Sequence, residues 1–109
     1  MALRIFVIAV ILALHAGAGQ AADGQALYQT TCIACHGPKA EGAIPGVPNL
    51  GEAGRLDKDD SILIANIING FQSKGSPMAM PPKGANPSLT EDDAKMVIEY
   101  LRQLTAKAK

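Results

Sequence analysis

Apolar positions along this chain fall into three kinds of pattern, and each predicts something different. Residues 5–17, "IFVIAVILALHAG", are apolar almost without interruption, after a short start whose one charge is Arg4 and before the small-residue run "AGAGQAAD". A basic start, a short apolar core and a small-residue exit mark a secretory signal peptide. The run is shorter than the roughly 18 to 20 residues that a bilayer span requires, so a permanent membrane anchor is not expected. Residues 1–22 are therefore read as a removable signal, cut after Ala18, Ala21 or Ala22, and residues 23–109 as one domain.

The second pattern is helical periodicity. "ADGQALYQTTCIACH" opens on Asp23, a good helix cap, and places Ala26, Leu27 and Tyr28 early in a helix that runs into the cysteine pair. "LDKDDSILIANIINGF" reads as the next helix. Asp57, Asp59 and Asp60 sit at its start, where the helix dipole favours negative charge. Leu63, Ile64, Ile67, Ile68 and Phe71 form its apolar stripe and Gly70 is the expected stop. The last helix is the clearest. Thr90 and Asp93 make a capping box, and Ala94, Val97, Ile98, Leu101 and Leu104 share one face with Tyr100 at its margin.

The third pattern is its absence. "GPKAEGAIPGVPNLGEAGR" holds five glycines and three prolines, "QSKGSPMAMPPKGANPS" holds four prolines, and neither keeps an apolar period. Structureless loops of this length normally count against a reading. They make sense if both fold over something that is not protein. No strand pattern is visible, so the expected class is all-α.

Composition narrows the picture. Without the signal the chain has nine basic and ten acidic side chains, no tryptophan, and as aromatics only Tyr28, Phe71 and Tyr100. Nothing in this balance points to nucleic acid. A domain of this size sits near the lower limit for a self-sufficient core and usually needs a disulfide, metal or cofactor as a staple. An exported pair of bare cysteines would tend toward a disulfide.

The chemistry-bearing stretch is "TTCIACHGPK". Cys32-x-x-Cys35-His36 is the spacing of a c-type haem attachment site. One helical turn presents two thiols to adjacent vinyl groups of a porphyrin, and the imidazole reaches the iron. The rivals are weaker. A redox pair wants an α/β context. Structural zinc needs four ligands, and only Cys32, Cys35 and His36 are offered. Copper could use His36 with Met78 and Met80, but has no use for two thiols beside the histidine. A loop methionine is the natural sixth ligand, since His/Met ligation is a standard arrangement for this haem. Met96 lies within the last helix and reads as packing. Met80 precedes Pro81-Pro82, which stiffens its backbone; it is the preferred ligand, with Met78 the alternative.

With these residues in view the mature chain resembles the class I c-type cytochromes, especially small bacterial ones of the c5 type. "CIACHG" is similar to their attachment motif, and "AMPPKGANPSLTEDD" to their methionine loop, in which a methionine directly before Pro-Pro binds the iron. The second methionine in "KGSPMAMPP" departs from that pattern. "VPNL" resembles a Pro-x-Leu stretch, which implies that the Pro48 carbonyl accepts a hydrogen bond from His36 Nδ1 and that Leu50 packs on the haem. "GQALY" and "VIEYL" resemble paired terminal helices, which implies that Gly24 permits close approach while Tyr28 meets Val97, Tyr100 and Leu101. The fold implied is a small cytochrome c fold, three main helices and long loops wrapped around one covalent haem c.

The function so implied is an exported, periplasmic, monomeric carrier of single electrons that docks transiently on redox-protein donors and acceptors, with no substrate turnover of its own. A tightly bound subunit of a dehydrogenase or oxidase is the alternative, and a haem gas binder or peroxidase a more distant one. Lys39, Lys58, Lys74 and Lys83 are candidates for a docking ring.

Overall fold

The structure is a computed structural model that describes residues 18–107. The segment read as a signal therefore lies, over residues 1–17, outside the described residues. The expected all-α class is found: helices α1 (Ala18–Leu27), α2 (Ile33–His36), α3 (Asp60–Asn69) and α4 (Glu91–Lys107), with one isolated bridge, Phe71 to Met80, as the sole strand-like pairing among the described residues.

The first helix does run into the cysteine pair, with two differences from expectation. It already includes Ala18, the first described residue, so Asp23 lies inside it as an exposed residue and not as its cap. The alanine-rich run before Asp23 is a strong helix former and extends the helix backwards. Between α1 and α2 the chain makes a π-helical turn, Tyr28–Cys32, closed by the Ile33 N–H bonding back to the Tyr28 carbonyl. Thr30 eases this wide turn by donating its hydroxyl to the Ala26 and Leu27 carbonyls, at 3.0 and 3.2 Å.

α1 crosses α4 where α1 has no side chain. A Cβ on Gly24 would stand 2.2 Å from the Met96 carbonyl oxygen, so only glycine lets the two backbones approach. Just past the crossing Tyr28, 1% exposed, packs with Val97, Leu101 and Ala40, and its ring meets that of Tyr100 at 5.5 Å between centroids. The Tyr28 hydroxyl donates to the Gly37 carbonyl and ties this core to the end of α2.

α4 starts as its sequence predicts. The Thr90 N–H donates to Asp93 Oδ2 and the Asp93 N–H to Thr90 Oγ1, both at 3.0 Å, a complete capping box. Ala94, Val97, Ile98 and Leu101 are buried and Leu104 half-buried. Thr105, unforeseen, is buried too, its hydroxyl satisfied by the Leu101 carbonyl at 2.9 Å.

α3 begins later than its acidic run suggests, at Asp60, with Asp59 in the capping position. The residues before it are held by Arg102 of α4, which donates to the Leu56 and Lys58 carbonyls at 3.2 and 3.0 Å and pairs with Asp60. Those carbonyls are thereby taken up outside any helix. Gly70 ends α3 as expected, at φ +81°.

Candidate functional site

α2 forms one wall of a cleft. Cys32 is half-buried and Cys35 exposed, and both thiols are free. Burial, and then the neighbouring Cys35, push the Cys32 thiol up to about 11. It is neutral near pH 7, the opposite of the depressed thiol that a disulfide-exchange pair needs. The His36 pKa is lowered by burial, which favours the neutral imidazole able to ligate a metal. Just after α2 the chain folds back on it: the Gly42 N–H donates to the His36 carbonyl at 2.8 Å and the Ala43 N–H to that of Cys35 at 2.9 Å. The helix end is thus fixed by its own following loop.

Another wall is the loop after α3. Phe71 and Met80 exchange both backbone hydrogen bonds, the Phe71 N–H to the Met80 carbonyl at 3.1 Å and the Met80 N–H to the Phe71 carbonyl at 2.7 Å. Within the loop Ser76 Oγ accepts from the Met78 N–H and lies 3.0 Å from the Met78 carbonyl. Beyond it Pro81 is extended, and Lys83, Gly84 and Ala85 take three successive left-handed conformations. This turn settles against Thr31, whose hydroxyl accepts from Asn86 Nδ2 at 3.4 Å, so the two walls are joined behind the cleft.

Between the walls lies about 1300 Å³ of space, counting its open mouth. Its lining is mainly apolar and includes Leu56, Leu63, Ile67, Val97, Ile98 and Leu101. Every residue read from the sequence as a cofactor contact lines this one cleft: Cys32, Cys35, His36, Pro48, Leu50, Met80 and also Met78. Met80 is half-buried and Met78 39% exposed. One expected contact is not made. His36 Nδ1 is buried with no hydrogen-bond partner, so the anticipated bond to the Pro48 carbonyl is absent, although Pro48 lines the same space. Burying such a nitrogen unpaired costs about 1–3 kcal/mol, which marks the ring as part of a site and not as ordinary packing.

This donor set suits a large planar apolar group carrying a metal. Two thiols, an imidazole and a thioether stand on the walls of an apolar cleft far too large for a bare ion, which argues against copper. Among the described residues no group of three or more His, Cys, Asp or Glu could hold a metal ion, which argues against zinc.

Sequence reasoning missed Thr31, Arg55 and Asn66, which also line the cleft. None lies on a periodic face or in a motif. Of the four lysines considered for docking, only Lys58 is among the lining residues.

Comparison with known proteins agrees with this geometry. The family model for cytochrome c matches residues 21–105. The chain is 33% identical over 85 residues to cytochrome c-555 of Chlorobaculum thiosulfatiphilum, a match covering 74% of this chain and 92% of that one. It is 30% identical over 86 residues to cytochrome c-555 of Prosthecochloris aestuarii, covering 73% and 83%. It is also 28% identical over 89 residues to the cbb3-type cytochrome c oxidase subunit CcoP of Cereibacter sphaeroides, covering 77% of this chain but only 30% of that subunit. The spacing of Cys32 and Cys35, the all-helical fold around an apolar cleft and these matches lead to one conclusion: the chain belongs to the cytochrome c family, a class I c-type electron-carrier cytochrome whose cofactor is covalently bound haem c.

Proposed function

We propose that Cys32 and Cys35 hold the haem as thioethers, that His36 and Met80 are its axial ligands, and that the exported protein passes single electrons between larger redox proteins without turning over a substrate. The observation that carries this reading is the convergence of Cys32, Cys35, His36 and Met80 on one apolar cleft. When bound, the haem supplies ferric–ferrous chemistry, and a His/Met pair raises its potential.

The remaining work falls to the chain. Leu63, Ile67 and Leu101 keep water from the cleft, Leu50 covers it from the loop side, and α2 aims the neutral His36 ring into it. Met80 is favoured over Met78 because it is less exposed and its backbone is fixed on both sides by Phe71. With His36 and Met80 both holding the iron, no position on it would be left for a substrate. Export rests on residues 1–22. Among the described residues no helix is long and apolar enough to cross a membrane.

The test is visible absorption of the mature protein made in a host that attaches haem c. Low-spin bands with the weak far-red methionine-to-iron band in the ferric form are expected, lost in Met80→Ala and kept in Met78→Ala. High-spin bands and ready carbon monoxide binding by the ferrous wild type would move the reading to a gas binder or peroxidase. The likeness to CcoP supports a second reading, a cytochrome held stably in a larger complex. Co-purification with a large partner at moderate salt would favour it over a free carrier.

A further inference from the structure

We infer that Gly70 is a positioning residue for the sixth ligand, acting through the reciprocal Phe71–Met80 backbone pair; this rests on Met80 being that ligand. Gly70 lies at φ +81°, ψ 166°, a region essentially closed to residues with a Cβ. The reason for that conformation is local. α3 must stop and turn back at once so that its next residue, Phe71, can face Met80 across the base of the loop. The return is tight: a Cβ on Gly70 would stand 2.8 Å from the Met80 carbonyl oxygen, 3.0 Å from the Pro82 nitrogen and 3.1 Å from Pro82 Cδ.

The atom it would strike first is the one that accepts the Phe71 N–H. Any side chain at 70 therefore pushes on the Met80 peptide itself, and Pro81-Pro82 leaves that peptide little freedom to give way on the other side. The 71–80 loop is closed at its base by this pair, so displacing the Met80 carbonyl opens the loop at the ligand. Gly70 thus sets where the thioether stands, without touching the cofactor.

The same loop supplies its own control. Gly75 has nearly the same φ, +80°, but a Cβ there meets nothing within 4 Å. Gly70→Ala and Gly75→Ala thus both place a side chain at positive φ in one loop, and only the first adds the collision with Met80.

In the haem-loaded protein Gly70→Ala is expected to keep covalent haem but to lose the ferric far-red band, bind carbon monoxide when ferrous and show a lowered reduction potential. Gly75→Ala should keep the band and resist carbon monoxide as wild type does. Retention of the band in Gly70→Ala, or its equal loss in Gly75→Ala, overturns the inference. Met80→Ala separates the two levels of the argument. If it keeps the band, ligand assignment and inference both fall; if it loses the band while Gly70→Ala keeps it, only the inference falls. Should Gly70→Ala not accumulate, hydrogen exchange on the wild-type ferric protein decides. The Phe71 and Met80 amides should lose protection together when added imidazole displaces the methionine. Displacement with both amides still protected overturns the inference.

Discussion

α4 is packed on its two flanks by different means. Toward α1 the contact is mostly with protein: Gly24 brings the backbones together, and Tyr28, Val97 and Leu101 are buried with the Tyr28 hydroxyl satisfied, only their edges bordering the cleft. Toward α3 the apolar groups meet a cleft. Leu63 is the one buried residue of α3, Ile64, Ile67 and Ile68 are only half-buried, and Phe71 is 44% exposed. The polar groups differ as well, since the buried hydroxyls of Tyr28 and Thr105 are paired and His36 Nδ1, at the cleft, is not. One flank is closed mostly by polypeptide; the other is a mould. Small domains with too little core of their own need such a staple, and here the staple's share of the interior can be read from what the chain leaves unfilled.

That contrast predicts its own largest break. In Cys32→Ala/Cys35→Ala, which cannot attach haem, slow amide exchange should survive only in α1 and α4 and vanish from α3 and residues 70–90. Uniform protection, or none anywhere, would show that the two flanks are not separate. On the complete flank, Gly24→Val drives a branched side chain into the Met96 carbonyl and should destabilise the haem-loaded protein by about 3 kcal/mol, the upper end for overpacking, read from the denaturant midpoint. The seam between the flanks is stitched by Arg102. Arg102→Ala should cost about 1–2 kcal/mol, mostly through two charge-assisted bonds to carbonyls and little through the half-exposed pair with Asp60.

The smallest effect near neutral pH sharpens the comparison through pH. Tyr28→Phe loses the bond to the Gly37 carbonyl, about 1 kcal/mol. Burial, first of all, raises the Tyr28 pKa well above its ordinary 10.0. The folded state therefore holds the proton longer than the unfolded one. The stability this group contributes is fully present below pH 10 and is lost as pH rises through the folded value. The wild type should thus lose stability above pH 10 more steeply than Tyr28→Phe. Parallel alkaline curves for the two would place Tyr28 outside the buried core.

Much of this was legible in the sequence where chemistry is local. The capping box of α4, its buried face, the Gly70 stop and the cysteine–histidine turn each depend on residues within a few positions of one another. What escaped depends on distance along the chain. Arg102 holds the carbonyls of Leu56 and Lys58, more than forty residues away, and so leaves the start of α3 at the end of its acidic run. Ala40 lies in the first glycine- and proline-rich loop and Leu89 at the end of the second, yet both are buried, so those loops do not serve the cofactor alone. Gly70 was readable as a stop, but not as a neighbour of Met80, because that contact exists only after the loop has closed. The Pro48 bond came from resemblance, and the chain does not make it here.

The π turn at Tyr28–Cys32 has a consequence for insertions and deletions. A five-residue turn of this kind is an α-helix carrying one residue more than its ladder can use. Remove one residue from it and the hydrogen bonds can revert to the ordinary spacing, so the helix becomes smoother and, taken alone, better formed. Five residues wound with i to i+5 bonds and four wound with i to i+4 bonds each complete about one turn, so the segment beyond would keep its facing. Cys32, Cys35 and His36 would keep their spacing, their motif and their aim at the cleft. One residue added instead has no such slack to take it up and would turn all three by about 100°, the angle one residue occupies in an α-helix. The π turn is therefore one residue of slack in the helix between Gly24 and His36, open to a deletion and closed to an insertion.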